Sequence, residues 1–365
     1  MSGREIIAGL SVSLSGRFQI QGQQALNGLL FWQLCVNTQG GIPLGASGKK
    51  PVRLIWRDDL SLARCARDNV FRLLRDDKVD VLFGPYSSGL TMSVAEIAEE
   101  YEKTLWNYGG SSDEIFGHGW HNLVGIASPA SDYLRSLPRC LLRNSPESHR
   151  ICVFYSEKGS FGWQVAQGIF ESAQLAGQLV ELVPIRPPLK ERDSALPLLH
   201  DIKPEVVVMV ASFQDELTLM RSRQQWPSTV HTVAAVAAGI DEFALALGAL
   251  ADGVIGPSQW EPGPGMHLSD ITGPKSDWFV KHFQERFGRT PGYVAAGSFA
   301  TGLIVAECIG RAASLDNREL RRIAAGLDCN TFYGGFRIDP ETGKQVAHRM
   351  TLVRWQQNRK VVLSH

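Results

Sequence analysis

An α/β fold of two doubly wound parallel-sheet lobes is predicted by three features of the 365-residue chain. Apolar, β-branched runs of strand length alternate with amphipathic helical stretches, the pattern of a parallel sheet covered on both faces. The alternation runs twice along the chain. The length exceeds what one hydrophobic core ordinarily serves and suits two domains.

The first series opens with "IIAGLSVSLS", a buried strand followed by a loop. "QQALNGLLFWQLCVNTQGG" carries apolar residues at helical spacing and ends in Gly-Gly, a helix C-cap signal. "PVRLIWRDD" reads as a strand, and "SLARCARDNVFRLLRDD" as an amphipathic helix with Ser61 as its N-cap. "VDVLFGP", "GLTMSVAEIAEEYE" and "KTLWNYGG" continue as strand, helix and strand. The second series runs "RICVFYSE", "GWQVAQGIFESAQLAGQ", "LVELVPI", "SALPLLHDIK", "PEVVVMVA", "FQDELTLMRSRQQ", "HTVAAVAA" and "DEFALALGALADG", again strand then helix.

Between residues 256 and 335 the pattern turns helical, with "SDWFVKHFQERFG", "AAGSFATGLIVAECIGRAAS" and "RELRRIAAGLD". The end of the chain is expected to form two strands around "DPETGK", whose Pro340, Thr342 and Gly343 suit a turn.

Composition narrows the function classes. The chain is 44% hydrophobic and 20% charged, ordinary for a globular protein. Its 37 basic and 37 acidic residues cancel, so nothing steers it toward nucleic acid or an anionic membrane. No stretch approaches about 18 consecutive apolar residues, so no transmembrane helix is expected. The opening "MSGREIIAGLSVSLSG" has no charged leader before an uninterrupted apolar core and is not read as a signal peptide. The expectation is a cytoplasmic chain or one whose leader has been removed.

Cys35, Cys65, Cys140, Cys152, Cys308 and Cys329 are scattered without a C-x-x-C pair. They read as buried free thiols, with one or two disulfides as the alternative in an oxidising compartment.

In open parallel sheets, ligands bind beyond the carboxyl ends of the strands. Five polar or glycine-rich loops fall at such ends: "GPYSSGLT" (84–91), "NYGGSS" (107–112), "SEKGSFGW" (156–163), "ASFQDE" (211–216) and "AAGIDE" (237–242). Together they describe a cleft.

No catalytic constellation fills it. Neither serine loop satisfies G-x-S-x-G, "GHGWHN" fails the dinucleotide fingerprint, and no Walker or H-E-x-x-H sequence occurs. His118 and His121 read as residues of a solvated loop, since no cysteine or carboxylate completes a metal set beside them. Glu96, Glu99, Glu100 and Glu102 form the polar face of a helix. No cofactor and no metal are expected. What the loops offer is hydroxyls, aromatics and helix N-termini, whose free amides favour a carboxylate. Ser88 has a second role open to it, capping its own helix.

These residues carry a family resemblance. "SVSLSGRFQIQGQQALNGLLFWQLCVNTQGGIPLG", "DDKVDVLFGPYSSGLTMSVAEIAEEYEKTLWNYGGSSDEIF", "SFGWQVAQGI", "PEVVVMVASFQDELTLM" and "YGGFRIDPETG" stand in the order found in branched-chain amino-acid-binding proteins. Over essentially the whole chain the sequence resembles that family, the periplasmic binding protein type I fold. The same fold serves amide and urea binders, some of them cytoplasmic sensors.

The resemblance implies roles residue by residue. Ser88 matches the serine that binds the ligand carboxylate, and Gly109 the residue whose carbonyl takes the ammonium. Ser111 matches a threonine that contacts both ends of the ligand. Phe161 and Phe213, the latter beside Ser212, match aromatics that cap the ligand from the second lobe. Gln21 falls near a ligand-facing aromatic of the first loop. Tyr86, with Trp106, Tyr108 and Trp260, is expected to add an aromatic wall. The family's leucine binders carry an acid at the end of the strand written here "HTVAAVAAG", where this chain has Ala237, Ala238 and Gly239. A buried ammonium without a counter-charge costs several kcal/mol, which disfavours an α-amino acid as ligand.

The resemblance further implies lobes at 1–127 plus 256–334 and at 128–255 plus 335–365, joined by a three-crossing hinge with the ligand cleft between them. It implies the solute-binding component of an ABC transporter, periplasmic, closing at its hinge on a small carboxylate-bearing or amide solute (an amino acid or an aromatic or organic acid), and partnered by that small-molecule ligand and a membrane ABC permease. A cytoplasmic sensor of the same fold is the alternative, and an enzyme with an unrecognised catalytic group a third reading.

Overall fold

The computed structural model describes residues 5–144, 150–186, 188–189, 196–263 and 272–363. The chain folds as two compact units, Met1–Ser128 with Trp260–Arg349, and Pro129–Gln259 with Met350–His365.

The first unit begins with β1 (Ile6–Val12), α1 (Gln19–Thr38), a two-strand ribbon of β2 (Ile42–Pro43) and β3 (Lys49–Lys50), then β4 (Val52–Asp58) and α2 (Ala63–Arg75). It continues with β5 (Val81–Phe83), α3 (Ser88–Glu100), β6 (Leu105–Asn107) and β7 (Leu123–Gly125). The second unit holds α4 (Leu137–Asn144), β8 (Arg150–Ser156), α5 (Phe161–Leu175), β9 (Leu179–Ile185), α6 (Leu196–Ile202) and β10 (Val206–Val210). It goes on with α7 (Phe213–Arg221), β11 (Thr232–Ala235), α8 (Asp241–Leu247) and β12 (Ile255–Ser258). The chain returns to the first unit for α9 (Ser276–Phe287), α10 (Tyr293–Ala312), α11 (Asn317–Ala325), β13 (Cys329–Thr331) and β14 (Gly334–Phe336). It ends in the second unit with β15 (Thr351–Gln356) and β16 (Arg359–Val362).

The first unit's sheet has the order β4-β1-β5-β6-β7, with every pair parallel. Its inner strands are buried on both faces because helices cover both: in β1 Ser11 is buried as fully as Leu10 and Val12, and the whole of β5 is buried, whereas the edge strand β4 alternates. The α2 sequence puts Ala66, Val70, Leu73 and Leu74 on one buried stripe at helical spacing. The second unit's sheet runs β16-β15-β12-β11-β10-β8-β9. Its β8 to β12 strands pair in parallel, and the final hairpin is antiparallel. All five residues of β10 are buried.

Among the described residues one helix, α10, is long and apolar enough to cross a membrane, but 72% of its most apolar window is buried within the fold. It is a core helix, joined to α1 where the Ser298 hydroxyl donates to the Ala25 carbonyl at 3.0 Å.

The end of the chain differs from expectation. Residues 335–349, assigned from sequence to the second lobe, fall in the first unit. Phe336 and Ile338 are buried in its core, and the Gln345 side chain donates to the Ile126 carbonyl at 3.0 Å. "DPETGK" does turn, with the Asp339 carboxylate accepting the Thr342 amide at 2.8 Å, but it closes only one bridge, Ile338 to Gln345. The true terminal hairpin turns at Gln357 and Asn358, whose φ angles of 49° and 61° match a two-residue hairpin turn.

Candidate functional site

The carboxyl ends of β5 and β6 bring four of the sequence-selected residues together. Ser87, at φ 106°, is the N-cap of α3, and its hydroxyl accepts the Leu90 amide at 3.5 Å. Capping therefore falls to Ser87 and not to Ser88. The Ser88 hydroxyl instead accepts the Ser111 amide at 3.2 Å and the Ser112 amide at 3.0 Å. With its lone pairs so engaged, what Ser88 has left to offer is its proton, for which there is no acceptor among the described residues. Ser88 is half-buried, and Ser111 is 6% exposed.

Asn107 shapes the second loop. Its side-chain oxygen accepts the amides of Gly109 (3.2 Å) and Gly110 (2.7 Å), and its nitrogen donates to the Gly110 carbonyl at 2.7 Å. Gly109 lies so close to the preceding loop that a Cβ there would stand 2.8 Å from both the Pro85 oxygen and the Tyr86 Cα.

Tyr86 shares its hydroxyl with Tyr293 of α10 at 3.0 Å and meets Phe18 edge-on at 5.8 Å. The Arg17 guanidinium covers the other ring of this pair, 4.7 Å from the Phe18 centroid. Gln21, in the first turn of α1, is half-buried on the same β1–α1 segment.

That segment is held by residues the sequence reading missed. Asp58 accepts the Leu14 and Leu60 amides, each at 2.9 Å, and the Ser15 hydroxyl at 2.8 Å. Asp59, fully buried, accepts the Ser13 hydroxyl at 2.6 Å, the Ser61 amide at 2.8 Å and the Ser11 hydroxyl at 3.3 Å. Burial pushes the Asp59 carboxyl above its usual range despite these donors. Ser61 does not cap α2, whose N-cap is Leu62; its hydroxyl donates to the Ser15 carbonyl at 2.7 Å and accepts the Phe18 amide at 3.0 Å. Tyr108, just after β6, is 5% exposed with a hydroxyl that has no hydrogen-bond partner among the described residues. Burial, and after it the charge of Asp59, drives its phenol well above the ordinary value. Two adjacent aspartates after a strand look like a solvated turn, so only the paired serines of "SVSLS" hinted at this network.

The expected aromatic wall is thinner than predicted. Trp106 and Trp260 belong to the core of the first unit, and the Trp260 indole donates to the Phe332 carbonyl at 3.1 Å. His118 stacks on Trp120 at 4.5 Å, and the His121 amide donates to Glu99 at 3.0 Å. Among the described residues no three His, Cys, Asp or Glu side chains gather as a metal site. All six cysteines are free thiols, and burial pushes Cys35 up to about 11 and Cys152 and Cys308 up to about 12.

In the second unit, Phe161 and Phe213 each begin a helix at the carboxyl end of its sheet. Phe161 meets Tyr133 edge-on at 5.2 Å, and Phe213 packs against the apolar core. Ser212 is committed as the α7 N-cap, accepting the Asp215 amide at 3.3 Å.

The turn at Ala237–Gly239 is gripped from three sides. The Glu216 carboxyl accepts the amides of Ala237 (2.7 Å) and Ala211 (2.9 Å), the Trp355 indole donates to the Ala238 carbonyl at 2.8 Å, and Lys360 donates to the Gly239 carbonyl at 3.2 Å. A Cβ on Gly239 would stand 2.0 Å from the Pro257 oxygen, so the turn has no room for a larger residue there. Glu216 is fully buried, and burial lifts its carboxyl to about 8 against the pull of the amides. Asp241 points outward, 67% exposed, and pairs with Lys360 at 3.1 Å. Of the acids beside the end of β11, then, Glu216 is engaged by backbone amides, Asp241 is paired with Lys360, and Glu242 lies half-buried in the first turn of α8.

The model of the periplasmic binding protein family matches residues 5–360. The chain belongs to that family. Its members are solute-binding proteins, relatives of ABC transporter substrate-binding components. A Leu/Ile/Val-binding protein homolog of Brucella abortus is 22% identical over 372 residues, covering 98% of this chain and 91% of that protein. Among solved structures, a leucine binding protein, LivK, of Thermotoga maritima superposes with a TM-score of 0.83 at 16% identity, covering 98% of each chain. An ABC transporter solute binding protein of R. palustris in complex with benzoate gives 0.77 at 19% identity, covering 99% of this chain and 96% of that one. These likenesses fix the fold as that of the type I periplasmic binding proteins.

Proposed function

We propose that this chain is the solute-binding component of an ABC transporter and that its solute is a small organic or aromatic carboxylate, or an amide, without an α-ammonium group. The observation that carries the reading is the end of β11. There the turn Ala237–Gly239 presents no acid, Glu216 is spent on backbone amides, Asp241 is paired with Lys360, and Glu242 belongs to the first turn of α8, where the helix N-terminus favours its charge. An ammonium would lose its water without gaining a counter-charge.

The carboxylate side is intact. Ser88 holds a hydroxyl proton at the start of α3, beside the first-turn amides of that helix, and Ser111 stands with it. Gly109, Tyr86 and Gln21 are assigned to the same site, and Phe161 and Phe213 to the second unit's share of it. The R. palustris relative, in complex with benzoate, supports an acid of this class. Hinge closure around the solute, a membrane permease as reader of the closed form, and a periplasmic location complete the proposal.

The test is a thermal-shift panel on protein stripped of solute by unfolding and refolding. Aliphatic amino acids, aromatic acids, short amides, urea and small dicarboxylates are compared. A ligand at about 100 times its Kd adds about 2.7 kcal/mol of stability, enough to raise Tm by about 2–4 °C or more. A shift from aromatic or organic acids supports the reading. A shift confined to leucine, isoleucine or valine overturns it.

A further inference from the structure

The chain passes out of or into the first unit at three points: after Ser128, before Trp260 and after Arg349. A side chain at or beside each point is tied down within that unit. The Trp260 indole N–H donates to the Phe332 carbonyl at 3.1 Å. The His348 Nε2 lies 3.2 Å from the Tyr333 carbonyl, and because a carbonyl only accepts, this nitrogen carries the proton. The Ser128 hydroxyl lies 2.7 Å from the His348 Nδ1 and 3.2 Å from the His348 carbonyl.

Phe332 and Tyr333 are the two residues that join β13 to β14. All three exits are therefore anchored, directly or through His348, on one two-residue turn. The turn is itself rigidly seated. Thr331 accepts the Tyr333 amide at 3.2 Å, and the Phe332 ring stacks on Phe279 at 4.5 Å. The Tyr333 ring stacks on His348 at 4.7 Å. Gln345 adds a second staple, donating to the carbonyls of Ile126 (3.0 Å) and Gly335 (3.3 Å) while accepting the His348 amide at 3.2 Å.

We infer that the Phe332–Tyr333 turn is a common anchor for the three exits, so that loosening one of them loosens the other two. Buried hydrogen-bond networks of this kind couple their members more strongly than separate pairs do. Bending would then begin beyond the anchor, on the side of Pro129, Gln259 and Met350. The use of the anchor in hinge motion rests on the solute-binding reading, whereas the coupling itself does not.

The experiment is amide hydrogen exchange on the full chain without solute. It compares wild type with Ser128→Ala, which removes one hydroxyl, and with Trp260→Phe, which removes the N–H donor and keeps a ring. Exchange near residues 124–131, 257–262 and 346–352 is read relative to β1 and β10 in the same sample, so that overall destabilisation cancels. The expected result is a several-fold rise at all three segments for either substitution. A rise confined to the segment carrying the substitution, or no rise anywhere, overturns the inference. Because no solute is added, neither result depends on what the protein binds.

Discussion

The Ser88 hydroxyl accepts the Ser111 amide at 3.2 Å, which binds the first turn of α3 to the loop after β6. Two neighbouring strands of a parallel sheet thereby present one joined surface at their carboxyl ends. The same oxygen accepts Ser112 at 3.0 Å, so a solute bound in this corner, as the proposed function has it, would meet Ser88 as a donor. A carboxylate satisfies that donor and an ammonium does not.

Replacing Ser88 with alanine removes that donor and strands two loop amides. Affinity for the carboxylate solute is expected to fall by about 1–3 kcal/mol, roughly 5- to 150-fold in Kd. Calorimetric titration measures it. Unchanged affinity would confine Ser88 to holding the Ser111 and Ser112 amides.

Gly109 tests how tightly the two loops meet. In Gly109→Ala the new methyl would stand 2.8 Å from the Pro85 oxygen, and overpacking of this kind costs about 1–3 kcal/mol. Chemical denaturation should show a lower midpoint and an unchanged slope. A midpoint equal to wild type would mean that the 84–86 segment yields freely.

Asp59 is the acceptor for three donors from Ser11, Ser13 and Ser61. Asp59→Ala leaves them without it in a buried place, at a cost of about 1–3 kcal/mol per orphaned group. The β1–α1 segment should also become susceptible to proteolysis near Gly16, an exposed position. A variant as stable and as resistant as wild type would refute this account of the β1–α1 loop.

Glu216 makes the second unit sensitive to pH. Burial raises its carboxyl from 4.5 to about 8 in the folded chain. The folded state thus holds a proton that the unfolded state has lost, and the stability linked to it is fully present below about pH 4.5 and drains away as pH rises toward 8. Urea midpoints recorded across that interval should fall more steeply for wild type than for Glu216→Gln. Equal slopes would show that the amides of Ala211 and Ala237 hold Glu216 ionised throughout.

The fold was legible because buried parallel strands announce themselves. The apolar runs of β1, β5 and β10 and the stripe Ala66, Val70, Leu73, Leu74 are direct consequences of burial on a covered sheet. Side-chain roles at strand ends were harder to read. Ser87 and Ser88 are adjacent and chemically alike, yet one residue of helical phase decides which caps α3 and which faces the next loop. Asp58 and Asp59 resemble a solvated turn, and only three-dimensional closure brings the serines of β1 onto them. The last hairpin was misplaced because "DPETGK" carries strong turn residues, whereas the true turn at Gln357–Asn358 has only Asn358 to signal a left-handed backbone. Trp106 looked like a wall of the site because sequence gives no direction for its ring, which burial turns into the core.

The measurement that bears most directly on the central claim is a paired calorimetric titration of refolded protein with benzoate and with leucine at neutral pH. The account predicts saturable one-site binding of benzoate, or of a close carboxylate analogue, with heat from leucine indistinguishable from dilution. Tight one-site binding of leucine would contradict it, because the protein would then supply the ammonium with a counter-charge that the end of β11 does not provide.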